Sequence, residues 1–207
     1  MKASACLILM ALALLADGRA EALTFDFKDS KGVNNVVFEL DAPLESIKGT
    51  AKGISGSVTV DPANLADAKG RIVVATNSLI VPNPLMRAHL LSKDWLGARS
   101  NPEISFDLRK VGDVESKGAN VSEAKVTGVL SLNGISKEIT AVAKVTFMPG
   151  RLREFSKGRL EGDLLVIRSE FGIKRSDFGI RPGEFLDKVS NEIDLTLSLA
   201  GAAAKGR

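Results

Sequence analysis

The sequence predicts an all-β domain of about eight or nine antiparallel strands with one short helix. Apolar and polar residues alternate with period two over several separate stretches, and Gly, Pro and Asn residues separate those stretches. Successive side chains of a strand point to opposite faces, so each stretch is a strand with one apolar and one wet face. Such strands close into a barrel or pack as a sandwich.

The chain begins with a segment typical of a signal peptide. Lys2 precedes an uncharged run from Ala3 to Ala16, which is shorter than the roughly 20 residues that span a bilayer. Ala20 and Ala22 are the small residues that a signal peptidase accepts near its cut. We predict a signal peptide at 1–22, cut after Ala20 or Ala22, and a periplasmic or secreted location, with an uncleaved membrane anchor as the alternative.

The strands follow from residue 23 onward. The alternation is clearest in five stretches, at 54–61, 104–109, 126–132, 139–147 and 193–199. Weaker strands are predicted at 23–27, 36–40, 70–79 and 160–173, and in the last the apolar face changes near Val166, which favours a bulge or sharp bend. Asn133-Gly134 between two alternating runs predicts a hairpin. We assign 23–200 to the barrel or sandwich domain and 201–207 to a disordered tail.

One helix is predicted between the strands at 70–79 and 104–109. Asn83 can cap its N-terminus, and Pro84 suits the first helical position. The helix is expected to run to about Leu91, and Ser92 can begin a further short turn that reaches Trp95.

Composition excludes several chemistries. Cys6, within the predicted signal peptide, is the only cysteine, so the mature chain has no disulfide, thiol nucleophile or Cys-zinc site. Its net charge of +3 comes from mixed signs, which disfavours nucleic acid as a partner. We predict no bound metal and no catalytic cofactor.

Small residues lie on the presumed inner face of the strands. They are Gly56, Gly128, Ala141 and Ala143. Small inward residues either leave room for a ligand in the interior or ease tight packing, and periodicity alone does not decide between these interpretations.

Three stretches carry a family resemblance. They read MRAHLLSKDW at 86–95, with NPEISF at 101–106; VTGVLSLNGISK at 126–137; and FGIKRSDFGI at 171–180. Their order and spacing resemble the YceI-like family of bacterial periplasmic proteins. The resemblance implies an extended, eight-stranded, lipocalin-like antiparallel barrel with a short helix at one end and a deep apolar tunnel. It also implies a polyisoprenoid or isoprenoid-quinone ligand and no catalytic residues.

The expected ligand contacts lie on the inner face, on the helix and in the third stretch. They are Met86, His89, Leu90, Trp95, Phe106, Leu130, Ala141, Ala143, Phe171, Arg175 and Phe178.

Several of these residues allow two interpretations. His89 contacts a ligand head group or is a buried structural histidine. Arg175, which shares a face with Asp177 if the stretch is extended, faces the ligand or fixes a strand end. Met86, Leu90 and Trp95 form a lid or an ordinary core plug.

The leading prediction is a protein that binds, and carries or sequesters, a long-chain apolar lipid and is not an enzyme. The alternatives are a secreted hydrolase or isomerase that uses His89, and a partner-binding β-module without a cavity. Two further interactions are compatible with the sequence, namely a homodimer and transient contact with a membrane surface. The basic loop that carries Arg151, Arg153, Lys157 and Arg159 either touches anionic lipids or is an ordinary solvated turn.

Overall fold

The computed structural model describes residues 22–29 and 31–205, so the predicted signal peptide, apart from Ala22, lies outside the described residues. The described chain forms eleven strands and two short α-helices. The strands are β1 (Leu23–Asp26), β2 (Asn35–Asp41), β3 (Ser46–Ala51), β4 (Ile54–Asp61), β5 (Asn64–Ala75), β6 (Leu79–Ile80), β7 (Glu103–Gly118), β8 (Val121–Leu132), β9 (Ile135–Met148), β10 (Gly162–Lys174) and β11 (Glu192–Ala204). The helices are α1 (Pro84–Leu91) and α2 (Leu152–Phe155).

The strands close into an eight-stranded antiparallel barrel. Its ring runs β1-β4-β5-β7-β8-β9-β10-β11, and β11 pairs with β1 to close it. The other three strands continue members of the ring: β2 pairs with β11 beyond β1, β3 pairs with β2, and β6 pairs with β3. The barrel therefore has eight strand positions, and at three of them two shorter strands follow one another in line. The predicted barrel is confirmed, and the sandwich alternative is wrong.

A buried asparagine bridges the interruption between β1 and β2. β11 pairs through Ala202 with Asp26 and through Ser198 with Asn35. The segment from β1 to β2 therefore contains more residues between these two pairings than β11 does. Asn34 accepts a hydrogen bond from the amide of Ala200 at 2.7 Å. It also donates to the carbonyls of Ala200 and Phe27, at 3.2 and 3.1 Å. Its side chain thus supplies the ladder bonds that the bulged backbone lacks.

Two local predictions are confirmed. Asn133 and Gly134 have φ of 52° and 75°, as the two central residues of a type I′ hairpin require. Helix α1 has the predicted bounds, and the Asn83 side chain accepts hydrogen bonds from the amides of Leu85 and Met86 at 2.9 and 3.2 Å. Both features depend on local residues, which is why the sequence was sufficient to predict them.

The predicted bulge near Val166 is wrong. β10 pairs with β11 in unbroken register from Gly162 opposite Ala204 to Lys174 opposite Glu192. The apolar face changes because both sides of the strand are covered there: Leu165 belongs to the inner core, and α2 packs over the outside of β10 and β11. Leu164, which points the other way, is therefore also buried.

Other boundaries need correction. The predicted tail is wrong for residues 201–204, which continue β11, while residues 206 and 207 lie outside the described residues. β3, β6 and α2 were not predicted, and the predicted strand at 70–79 ends at Ala75, where a 3₁₀ turn (Thr76–Ser78) follows.

The buried apolar residues form two inner clusters. One lies at the end that carries α1, and it includes Phe38, Leu132 and Phe178. The other lies at the opposite end, and it includes Phe25 and Phe27. The interior of the barrel, which both clusters border, contains the candidate site.

Candidate functional site

A cavity of about 840 Å³ runs along the inside of the barrel. On β11 its wall is formed by the alternating residues Ile193, Leu195, Leu197 and Leu199. Six residue steps at about 3.3 Å each make this wall about 20 Å long. The interior is therefore an elongated hollow, and the cavity-free β-module alternative is wrong.

One end of the cavity is sealed by packed side chains, and we call it the closed end. Val60, Leu65 and Leu165 line the cavity there. Behind them Phe25, which is fully buried, meets Phe147 edge to face, with ring centroids 6.3 Å apart. Neither ring lines the cavity. This aromatic pair therefore stands behind the cavity wall, beside a second, smaller cavity of about 160 Å³ that Phe147 lines.

Two of the four small inward residues leave space, and two do not. Ala141 and Ala143 line the cavity. At Gly128 a Cβ atom would collide with the ring of Phe106, and at Gly56, where φ is 114°, it would collide with the backbone carbonyl of Arg71. The expectation of free space is wrong for the two glycines, because an aromatic ring and a neighbouring strand already occupy it.

The other end of the cavity is an opening, which we call the mouth. It is bordered by α1, by the turn at 92–95 and by the loop at 181–190. No residue of α1 is buried, although Met86 and Leu90 are half-buried against the neighbouring core cluster. Trp95 follows in the turn, and its ring centroid lies 6.2 Å from that of Phe185. Half-exposed apolar groups thus cover the cavity at this end, as the lid interpretation expects.

His89 lies at the mouth and is exposed, so the buried structural interpretation is wrong. Among the described residues, no group of three or more His, Cys, Asp or Glu side chains could hold a metal ion. What the position offers is a polar group beside the opening of an apolar cavity.

Arg175 is the largest of the fully buried side chains, and it holds the mouth loop in place. Its Nε, Nη1 and Nη2 atoms donate only to backbone carbonyls, namely those of Ser190 at 3.0 Å, Ile180 at 2.8 Å, Val189 at 3.2 Å, Arg181 and Glu184. A guanidinium has five N–H groups, so all of its donors are used. Burial lowers the pKa of Arg175 from its ordinary value, against a smaller opposing effect of Glu184.

These bonds answer the question that the sequence left open about Arg175. The residue lines the cavity, but it fixes the loop and has no donor left for a ligand. The residues Arg175–Phe178 form a 3₁₀ turn, so Arg175 is buried while Asp177 is exposed. The expectation that the two side chains share a face is therefore wrong.

A second arginine joins the loop to the turn after α1. Arg181 donates through Nε to the carbonyl of Asp94 at 3.1 Å, and its Nη2 lies 3.8 Å from the Asp94 carboxylate. Its Nη1 donates to Glu184 at 2.8 Å. We call this set of contacts the latch, because it bridges the two segments that border the mouth.

The cavity brings together most of the predicted contact residues. Those that line it are Met86, His89, Leu90, Trp95, Phe106, Leu130, Ala141, Ala143 and Arg175. Phe171 and Phe178 do not line it. Phe178 is buried in the core cluster beneath the mouth, with its carbonyl accepting a hydrogen bond from Asn133, and Phe171 packs against the same cluster.

Sequence reasoning missed part of the lining. The aliphatic face of β11 was recognised as a face but not assigned to the ligand, although its alternation was the clearest in the chain. Glu45 and Lys188 come from irregular loops without a periodic signal. The predicted basic loop lies at the closed end, where Arg151 pairs with Glu154 at 2.7 Å and Arg153 with Glu161 at 3.3 Å.

The described residues contain no helix with the length and apolar character of a membrane span. This finding concerns helices within residues 22–29 and 31–205.

Comparison with known proteins places this architecture in a family. Residues 26–200 match the model of the YceI-like domain. A UPF0312 protein of Pseudomonas aeruginosa is 28% identical over 198 residues, which cover 92% of this chain and 96% of the relative. Protein YceI of Escherichia coli O157:H7 is 31% identical over 160 residues, covering 76% of this chain and 74% of the relative.

Solved structures have the same fold. Burkholderia cenocepacia BcnA superposes with a TM-score of 0.64 at 22% identity, covering 81% of this chain and 95% of its own. A polyisoprenoid binding domain from Saccharophagus degradans superposes with a TM-score of 0.62 at 12% identity, covering 88% of this chain and 99% of its own. At these identities the likeness concerns the fold, whereas the domain match spans most of the sequence. The chain belongs to the YceI-like family.

Proposed function

We propose that this protein binds one long-chain apolar lipid, of the polyisoprenoid or isoprenoid-quinone class, and carries or stores it in the periplasm without catalysing a reaction. The observation that carries the proposal is the elongated cavity, whose volume of about 840 Å³ falls within the range of about 300–1,000 Å³ typical of ligand sites. Its long walls are aliphatic and aromatic, while its charged groups gather at the mouth.

The physical basis is the removal of the lipid tail from water. Each buried CH₂ group contributes about 0.8 kcal/mol, so a long chain gains affinity from length alone. Walls such as Leu195, Leu197 and Val145 offer no hydrogen bonds and so do not select a particular tail chemistry. Selection of a head group falls to the few polar residues at the mouth.

The relatives support the class of ligand. The domain from Saccharophagus degradans is described as polyisoprenoid binding, and it shares the barrel fold with this chain. The aliphatic lining of the present cavity suits the same chemistry.

The state of His89 supports binding over catalysis. A general base needs a substrate within reach and is commonly oriented by a second group. Among the described residues, the His89 imidazole makes no hydrogen bond that would orient it. Its position suits occasional contact with a head group at the opening.

The first experiment identifies the bound lipid. Native mass spectrometry of protein purified without detergent is expected to show the mass of one co-extracted isoprenoid or quinone per chain. After delipidation, the protein is expected to take up geranylgeraniol more tightly than the shorter farnesol, by about tenfold or more, because more CH₂ groups are buried. Failure to take up either alcohol would overturn the proposal.

A matched pair of variants tests where the lipid lies. Ala143→Phe adds a ring inside the cavity, and Val142→Phe adds the same ring on the exposed outer face of the same strand. We expect the inner variant to lose geranylgeraniol binding at least tenfold and the outer variant to stay within twofold of the wild type. Equal binding by both variants would place the lipid elsewhere.

A further inference from the structure

Large apolar side chains stand exposed around the mouth. Leu44 and Leu85 are the most exposed large apolar residues of the described chain, at 68% and 66%, and Phe185 and Leu186 follow at 49% and 48%. They come from three separate segments: the β2–β3 connection, α1 and the loop at 181–190. We call these four residues the rim.

One hydrogen bond joins two of these segments, and two of the rim residues border the opening. The amide of Leu44 donates to the carbonyl of Asp187 at 2.9 Å, which joins the β2–β3 connection to the loop that carries Leu186. Leu85 and Phe185 themselves line the mouth of the cavity. The rim therefore combines two residues of the cavity wall with two exposed apolar residues on the segments beside it.

We propose that the rim docks on a lipid bilayer and that a bound isoprenoid passes between membrane and cavity through this contact. The inference rests on the proposed function, because it assumes a long apolar ligand. Such a ligand would expose its tail to water if the mouth faced the solvent during transfer. Contact between the rim and the hydrocarbon of the bilayer keeps the tail out of water at every stage.

The charges at the mouth indicate which kind of membrane contact this is. Glu45 and Asp94 are acidic, Arg181 and Lys188 are basic, and all four border the opening. Mixed signs give no strong attraction to anionic head groups, in contrast to a polybasic surface. We therefore expect docking by apolar insertion, which neutral lipids support and salt does not weaken.

The rim also differs from the basic segment that the sequence offers for contact with anionic lipids. The basic segment at 151–159 lies at the closed end, away from the opening, and two of its arginines are paired with glutamates. Docking through that end would leave the mouth in water.

The test is flotation of the protein with vesicles of phosphatidylcholine alone and of phosphatidylcholine with phosphatidylglycerol, at low and high salt. The rim variant is Leu44→Ser and Leu186→Ser combined, the two rim residues that do not line the cavity. The matched control is Val114→Ser and Leu160→Ser, two residues outside the rim that are 44% and 47% exposed. Both variants change exposed side chains, so both are expected to fold.

We expect wild type and control to float with neutral vesicles at either salt concentration, and the rim variant to lose at least tenfold in bound fraction. Binding that requires phosphatidylglycerol and disappears in high salt would overturn the proposal in favour of a basic surface. Equal flotation of wild type and rim variant, or no flotation of the wild type, would also overturn it. So would a dimer of the wild type that the rim variant abolishes, because the rim would then bind a second copy.

The same proteins separate this inference from the proposed function. Geranylgeraniol supplied in detergent reaches the cavity without a bilayer, and the rim variant is expected to bind it within twofold of the wild type. A rim variant that loses vesicles but keeps the alcohol supports docking at the rim. If the wild type binds vesicles but no isoprenoid alcohol, the proposed function fails, and the passage of lipid inferred here fails with it.

Discussion

The two ends of the barrel are built by different means. At the closed end, Phe25 and Phe27 are fully buried, and Gly201 leaves room for the Phe27 ring. At the mouth, α1 has no buried residue, and the loop beside it is held by hydrogen bonds from Arg175 and by the latch. One end is therefore sealed by apolar packing, and the other is covered by half-exposed groups held by polar contacts.

This difference bears on which end can open. Separating packed rings in a closed core exposes apolar surface to water and leaves a void, which costs free energy without compensation. Breaking a hydrogen bond of the exposed latch exchanges a protein partner for water, and the net cost is only about 0.5–1.5 kcal/mol per bond. The contrast predicts that the mouth exchanges ligand while the closed end keeps the barrel folded.

The largest expected effect is on stability, from truncation at the closed end. Phe25→Ala is expected to lower the free energy of unfolding by about 3–5 kcal/mol, because it creates a cavity in a fully buried cluster. Met86→Ala in the lid is expected to cost about 1 kcal/mol or less, because that side chain is only half-buried. Urea denaturation measures both, and equal losses would contradict the contrast between the two ends.

The next effect concerns the loop that borders the mouth. Arg175→Met removes the donors to five carbonyls, so we expect a loss of about 2–4 kcal/mol in the free energy of unfolding. Hydrogen exchange is expected to accelerate throughout 180–190 and to stay unchanged in β1 and β4. Arg175→Lys keeps the charge with fewer donors and should lie between wild type and Arg175→Met.

Asn34→Ala serves as the comparison within the barrel wall. This change removes three hydrogen bonds that tie the β1–β2 interruption to β11. We expect a stability loss of about 1–3 kcal/mol with no faster exchange in the mouth loop. If Arg175→Met loosened β1 as much as the loop, Arg175 would be a support of the whole barrel instead of a clamp on the mouth.

The latch is expected to affect rates more than stability. Arg181→Met breaks the contacts to Asp94 and Glu184, which are exposed and so contribute about 0–1 kcal/mol to stability. Release of bound geranylgeraniol should become several-fold faster, because the loop and the turn after α1 separate more readily. Lys117→Met removes a comparable exposed pair with Glu115, at 2.6 Å, on a strand end away from the mouth. It should leave the release rate unchanged.

The features that sequence predicted well are those fixed by neighbours in the chain. Asn83 and Pro84 set the start of α1, Asn133-Gly134 sets a hairpin, and alternation marks the face of β11. The role of Arg175 in holding the mouth loop was not predictable, because the carbonyls that it contacts belong to an irregular loop without a pattern.

Whether the interior is hollow was also beyond the sequence. Gly128 and Ala141 are both small inward residues in alternating strands, so they are equivalent by periodicity. Only the position of the Phe106 ring, which occupies the space at Gly128, distinguishes a filled site from an open one. Side-chain packing between strands that are distant in the chain therefore decided the question.

The smallest expected effect concerns His89, and it tests whether this residue contributes to ligand affinity or only borders the opening. His89 is exposed, and the apolar walls that would hold the tail lie deeper in the barrel. His89→Ala is therefore expected to change the affinity for farnesol and geranylgeraniol by less than twofold, because the apolar walls and not the exposed imidazole hold the tails. Isothermal titration of the delipidated protein measures this, with Ala143→Phe as the control that must lose binding. A loss of tenfold or more with His89→Ala would mean that the head group, and not the buried tail, supplies much of the affinity. The mouth would then be a specific site for the head group as well as a cover over the cavity, in contrast to the closed end, which only packs.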